Sequence, residues 1–392
     1  MSVTTTPNRK TPSYKASETL FKSLVVIRPL GLLYGSAGRF LSPDNLVGRS
    51  GISFPPSSAA LSGVFAHHLG AEDPLLSNLQ LAGPFWARED TPDNFYVPTP
   101  MHCLVKDNQI GHQMSWHDGK WQTYLDGTWQ TPPNDKFQSG TWIALSDWKH
   151  FDVRQEQHSK PTYPEVRTAS WKFLPHLHPR LKADERTTQE GDLFLENAVQ
   201  LDPDACLVYL SNVALPDGWY RFGGEGHLVE IQCLPLSQSV RDLLNRKIDR
   251  SFALIVPALW GSNRLSYREP MVRKGHTWIP AWRRQPEPPN PTAPCESEIL
   301  PEGVAYAIEA SLVGRAVPQR HRLGKRTDGH QLHQPCLLSR GRYAVPAGSV
   351  YVLESPLDRT WQDWDEEWFP TEGYSFKRWG CGLALPLESA IA

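Results

Sequence analysis

SLVVIRPL, residues 23–30, is a short β-branched apolar run stopped by proline, and SSAALSGVFAHHLG, residues 57–70, follows it across a loop punctuated by Gly and Pro. The first reads as a core strand. The second has Ser at a plausible N-cap and Gly at its end, with Leu61, Val64, Phe65 and Leu69 on one face at helical spacing. Ala60 and Gly63 leave room for close packing. Further strands are predicted at CLVYLSNV (206–213), GHLVEIQC (226–233), SFALIVPALW (251–260), AYAIEASLVG (305–314) and GSVYVLES (348–355), and a short helix at VRDLLNRKI (240–248). The order predicts an α+β protein with mostly antiparallel connections. Fifteen Trp and 35 Pro also point away from a helical bundle, toward sheets with elaborate loops.

At 392 residues the chain is long enough for two domains, each able to bury its own core. The boundary is expected near 235–248, which divides the chain into a polar tail (1–20), a first domain (21–238) and a second (239–392). A formal charge of −2 excludes a wholesale nucleic-acid coat, so any such site must be a local patch. The six cysteines lie far apart, without C-x-x-C or zinc-ribbon spacing, and read as reduced core residues. The first residues carry no apolar leader, and no run of about 20 apolar residues spans a bilayer, so a soluble cytoplasmic protein is expected.

Residues 112–148 hold Asp-Gly at 118–119 and again at 126–127, with Trp116, Trp121, Trp129, Trp142 and Trp148 between and around them. Asp-Gly between alternating segments signals a hairpin, so this is a Trp-rich β-hairpin insertion whose indoles suit cross-strand packing or base stacking. PAWRRQPEPPNPTAP (280–294) is expected to be an irregular Pro-rich loop.

The chemistry is largely a matter of what is missing. Neither the phosphate-binding G-x-x-x-x-G-K-[ST] pattern nor a strand–G-x-G-x-x-G–helix unit occurs, nor do H-E-x-x-H or G-x-S-x-G. No cofactor is predicted. His67–His68 and His176 with His178 lack a third ligand nearby in sequence, so surface histidines are the better reading and no metal is predicted. GGEG, Gly223, Gly224, Glu225 and Gly226, reads as a tight turn leading into a strand at a packed interface.

Charge is more informative. Residues 315–342 hold seven Lys/Arg against one acid, a basic segment that suits either a solvated loop or a surface holding phosphates. Near the C-terminus, EGYSFKRWGCGLALP (372–386) sets Lys377 and Arg378 beside Trp379, Gly380 and Gly382. Glycine would give access, the cations charge, and the indole a stacking surface. The alternative is a buried turn before the final strand.

SLVVIRPLGLLYG…GRF…ISFPPSSAALSGVFAHHL resembles the opening of RAMP-superfamily CRISPR proteins. LAGPFWA and FYVPTPMHCLV (81–87, 95–105), HPRLKADERTTQEGDLFLENAVQL (178–201), FGGEGHLVEI and AVPAGSVYVLE (344–354) are similar, in that order, to the third subunit of the type III-B, or Cmr, effector complex. The resemblance implies two ferredoxin-like (RRM-like) domains. It also implies a noncatalytic role in antiviral defence: binding the repeat-derived 5′ tag of the CRISPR RNA and docking on the large polymerase-like subunit, beside backbone subunits and, indirectly, target RNA. RNA contacts are then expected at Arg39, Ser57, Ser58 and His67 around the first helix, and at Arg180, Lys182 and Arg186. Arg320, Arg322, Lys325 and Arg326 in the basic segment, and Gly373, Lys377, Arg378, Gly380 and Gly382 in the glycine-rich loop, complete the set. Family members often carry Arg where this chain has Ala66, His67 and His68. Two other classes stay open. A metal-independent RAMP endoribonuclease processing repeat RNA would use His67 with Arg39, or His178 with Arg180; a sugar-cleaving β protein would need a carboxylate pair in a cleft.

Overall fold

The computed structural model describes residues 20–34, 54–70, 72–152, 163–181, 187–223, 226–260, 269–274, 277–280, 308–324 and 337–392. The opening run forms the strand Ser23–Pro29 and the second stretch the helix Ser58–Leu69, which buries Leu61, Val64 and Phe65. Chain order then gives the strands Leu81–Arg88, Ala205–Ser211 and His227–Pro235. In the sheet, His227–Pro235 lies beside Ser23–Pro29, then Ala205–Ser211, then Leu81–Arg88, all antiparallel. Numbered along the chain, that is the order 4-1-3-2 of a ferredoxin-like fold.

Short strands extend this sheet at both edges. Tyr96–Pro98, Trp142–Ala144 and Val166–Arg167 add to one side and Gly218–Phe222 to the other. In chain order the edge strand Gly218–Phe222 stands between Ala205–Ser211 and His227–Pro235, the third and fourth strands, where a ferredoxin-like fold has its second helix. The turn from Gly218–Phe222 into His227–Pro235 is the GGEG stretch: Gly223 and Gly226 sit at φ +77° and +67°, conformations glycine adopts without strain, and Gly226 N donates to Gly223 O at 3.2 Å. Gly224 and Glu225 lie outside the described residues.

The 4-1-3-2 order repeats in the second half. Ala384–Pro386, Ser251–Leu254, Val350–Leu353 and Ile308–Leu312 lie in that sequence across a four-stranded sheet. Short 3-10 turns at Trp361–Asp363, Glu366–Trp368 and Phe376–Trp379 replace a helix before the last strand. The predicted helix at 240–248 is observed as Gln238–Leu244, and most of the Pro-rich 280–294 stretch lies outside the described residues. The protein is therefore α+β with few helices.

Ser23–Pro29 is buried on both faces, which is why its sequence is a continuous apolar run rather than an alternation. Val25 and Ile27 join Phe65, Leu207, Tyr209 and Ile231 under the helix. Leu24 and Val26, with Phe85, Val208 and Leu210, face the other way into one core shared with Phe252, Tyr351, Trp364 and Leu385 of the second sheet. The two sheets are thus joined through a common hydrophobic interior.

The Trp-rich insertion is a four-stranded meander, Cys103–Lys106, Gln109–His117, Lys120–Leu125 and Thr128–Gln130. Asp118-Gly119 and Asp126-Gly127 both have positive φ, as a tight hairpin turn requires. The meander starts nine residues before the predicted 112, because Asp107-Asn108 makes the same left-handed turn (φ 52° and 59°) without a glycine to announce it. Its aromatic rings meet across strands, Trp116 with Trp121 at 5.6 Å and His117 on Trp129 at 4.6 Å. Trp148 is buried and donates to Pro386 O at 2.8 Å. Trp142 instead belongs to the main sheet.

The meander also holds the last residues of the chain. Ser115 Oγ donates to Ser389 O at 2.6 Å, and Ala392 N to Trp116 O at 3.3 Å. Beneath them His102 is fully buried, its Nε2 accepting from Gln113 Nε2 at 2.9 Å and lying 3.0 Å from Ser389 Oγ. Burial pulls its pKa down to about 3.

Candidate RNA interface

The basic segment folds as a narrow ribbon. Val317–Gln319 pairs with Arg342–Ala344, and Arg322–Gly324 with Leu337–Leu338. Between them the neck is tied by Ser339 N donating to His321 O (2.8 Å), His321 N to Ser339 Oγ (2.8 Å) and Arg320 Nε to Ser339 O (3.0 Å). Lys325 and Arg326 lie outside the described residues.

The described side chains of the ribbon fall into a buried and an exposed set. Arg342 and Ala344 turn inward. Arg342 forms a buried ion pair with Glu372, whose other oxygen accepts from Arg340 N at 3.0 Å, and its guanidinium lies 5.3 Å from the Phe376 ring centre. His321 sits between Phe376 and Trp379, and burial, assisted by the Arg342 charge, lowers its pKa to about 4. A neutral His and a paired Arg therefore anchor the ribbon. Facing outward are Arg315, Arg340, Val317, Leu338 and Tyr343, with Arg320 half-buried. The ribbon's strand Arg322–Gly324 lies against the helix Ser58–Leu69, so two of the predicted regions are neighbours.

At that helix, Ser57 is the N-cap residue but makes no side-chain cap hydrogen bond. Ser58 is buried, and its Oγ donates to Gly83 O at 3.1 Å, so its hydroxyl serves packing rather than a surface. His67 is exposed in the last turn, and neighbouring His68 packs edge-on to Tyr220 at 5.7 Å. Arg39 lies outside the described residues. Arg180 stands near the far end of a long hairpin, Trp171–Leu181 with Thr188–Leu201, and Lys182 and Arg186 lie outside the described residues.

The glycine-rich loop is different from the expectation. Lys377 and Arg378 are buried. Lys377 Nζ donates to Gln362 O at 2.9 Å and Trp364 O at 2.5 Å, between the rings of Trp361 and Phe369. Burial pulls its pKa below the ordinary lysine value, with Glu366 opposing. Arg378 donates to Leu76 O and lies 4.1 Å from the Tyr374 ring centre. Gly380 (φ +72°) abuts Leu81 and Ala82 of the first sheet, and Gly382 (φ +69°) abuts Trp260. These four residues close the protein's interior and do not present an open surface; the access that glycine provides is used by neighbouring chain segments. Gly373 alone of the set is exposed, at a turn with open space around it. Replacing Lys377 with Ala is expected to cost roughly 2–4 kcal/mol of stability, since it strands the carbonyls of Gln362 and Trp364, and Arg378→Ala about 1–3 kcal/mol through the lost charged hydrogen bond to Leu76 O. In urea titrations each variant should unfold earlier, while the RNA affinity of the folded fraction stays unchanged.

A feature absent from the sequence reading lies at the hairpin base, where the Tyr34 hydroxyl bonds His176 Nδ1 and its ring stacks 5.2 Å from His227. Nothing in the sequence links these three positions, since 142 residues separate Tyr34 from His176. Among the described residues, no three His, Cys, Asp or Glu gather as a metal site, and no helix is long and apolar enough to cross a membrane.

A model of the family described as CRISPR-associated protein (Cas_Cmr3) matches residues 59–389. The chain belongs to this family. As a Cmr3-family protein it is a component of a type III CRISPR effector, in agreement with the resemblance in its segments. No curated protein sequence matches it. Among solved structures, a chain of "Cryo-EM structure of the Type III-B Cmr-beta bound to cognate target RNA" is similar at 12% identity and TM-score 0.42, covering 84% of this chain and 86% of that one. A chain of "Crystal structure of Csm3-Csm4 subcomplex in the type III-A CRISPR-Cas interference complex" is similar at 10% identity and TM-score 0.32, covering 86% and 94%. At such values the family model alone carries the assignment.

Proposed function

We propose that this Cmr3-family chain is a noncatalytic RNA-binding subunit, holding the repeat-derived 5′ tag of the CRISPR RNA and docking on the large polymerase-like subunit of a type III-B complex in the cytoplasm. The observation that carries the RNA reading is the ribbon: Arg315 and Arg340, in the segments next to its strands, are exposed, as is Tyr343 on the strand held by the buried Arg342–Glu372 pair. Guanidinium groups neutralise phosphates and the phenol ring supplies a stacking surface, the combination that single-stranded RNA needs. Arg322, Lys325 and Arg326 of the same basic segment, and His67 and Ser57 of the adjoining helix, are further candidate contacts. Arg180, Lys182 and Arg186 are a second candidate basic group in the sequence.

With Arg315 and Arg340 both changed to Ala, tag-RNA affinity is expected to fall about tenfold, and the salt slope to flatten by roughly 0.7 per lost phosphate contact. Melting should not change, as both side chains are exposed. Unaltered affinity and slope in titrations at two salt concentrations would remove the ribbon from the RNA path.

The Tyr34–His176 pair gives the endoribonuclease reading one observation in its favour, because a base for a 2′-hydroxyl needs such a hydrogen-bonded imidazole. The noncatalytic reading expects no site-specific product from labelled repeat RNA, with or without divalent metal. A product that disappears in His176→Ala would replace it.

A further inference from the structure

The face of the first sheet that the second half covers over Leu24, Val26 and Val208 continues, uncovered, to the edge strand Gly218–Phe222. Register places Trp219 opposite Glu230 and Glu230 opposite Arg28, with Arg221 opposite Leu228 in the next row. Leu30 N donates to Leu228 O, which brings Leu30 into that row. Trp219 is 72% exposed, Leu30 52% and Leu228 46%, three exposed large apolar side chains in adjacent rows of one sheet face. The outer side of Gly218–Phe222 pairs with no other strand among the described residues, so its main-chain groups are open to a partner.

Charge separates the possible occupants. Arg28 lies 3.5 Å from Glu89 and 3.8 Å from Glu230, so two carboxylates share one guanidinium. Asp217 and Arg221 flank the indole. Three acids against two arginines offer a phosphate backbone no surplus cation, whereas an apolar protein surface with Lys or Arg at its rim meets complementary charge. We propose that this corner docks a protein subunit, with Trp219 inserted as the anchor into an apolar pocket rimmed by Lys or Arg.

This inference rests on the reading that the chain works inside a multi-subunit complex, and the assembled complex is where it is tested. A photoreactive benzophenone amino acid in place of Trp219 should give an adduct with another protein subunit that survives ribonuclease. Trp219→Ala should raise the rate at which that subunit dissociates about thirtyfold, as truncation of an aromatic hot spot does, and Trp219→Phe should retain most of the contact. Neither change should shift the melting of the free chain or its tag-RNA affinity. An adduct with RNA, an adduct only within the same chain, or unchanged dissociation in Trp219→Ala overturns the proposal. Loss of tag-RNA binding in the ribbon variants with this adduct intact, or the reverse, tells the failure of one reading from that of the other.

Discussion

Replacing Gly380 with valine is expected to leave little or no folded protein. A Cβ at this position would sit 2.5 Å from the Cα of Ala82, closer still to its Cβ, and 3.0 Å from Leu81 O. The obstacle is backbone and a buried alanine rather than a flexible side chain, so nothing can swing aside. The left-handed φ of +72° adds strain that a β-branched residue bears badly. Together these should exceed about 4 kcal/mol, a large part of a domain's whole stability. Gly373→Ala is the matched control: it shares the positive φ but has open space around it, and should cost only about 1 kcal/mol. Soluble yield and urea midpoints of the two variants side by side check this; a Gly380→Val chain as stable as Gly373→Ala would mean that the loop does not pack on the first sheet.

The second large effect is with pH. His102 and His321 are buried neutral, with pKa values lowered to about 3 and about 4 from the ordinary 6.5. The unfolded chain takes up these protons as pH falls through 6.5, but the folded chain does not until far lower. Folding stability contributed by the two is therefore complete above 6.5 and is lost on acidification, by roughly 3 kcal/mol between pH 6.5 and 5 for the pair. His102→Asn should remove about half of that slope. Urea titrations at intervals of half a pH unit measure it, and a flat profile over this range would show that the imidazoles are charged or solvated in the native state.

What the sequence disclosed follows from how local each signal is. The run at 23–30, the helix at 57–70 and the Asp-Gly turns depend on neighbours a few residues away, and each was placed to within one or two residues. Asp107-Asn108 makes the same turn without its usual glycine, so the meander began earlier than expected. The basic ribbon was visible as composition, but not the fact that Arg342 is withdrawn into an ion pair with Glu372, 30 residues on. The glycine-rich loop misled for a related reason. Positive φ and close approach look the same in sequence whether the approaching group is RNA or Ala82, and the aromatics and carbonyls that enclose Lys377 come from Trp361, Gln362, Trp364 and Phe369. Tyr34, His176 and Trp219 owe their settings to strand pairing, which no local pattern specifies.

The packing of Gly380 on Ala82 also sets a timetable for synthesis. About 300 residues separate the two, and at 5–20 residues per second the ribosome needs roughly 15–60 s to make them. For much of that interval the face of the first sheet bearing Leu24, Val26 and Phe85 lacks the cover that Phe252, Tyr351, Trp364 and Leu385 finally give it. The nascent chain thus carries a sticky apolar surface for far longer than a hairpin or helix takes to form, and its yield in the cell depends on what shields that surface until the later residues emerge.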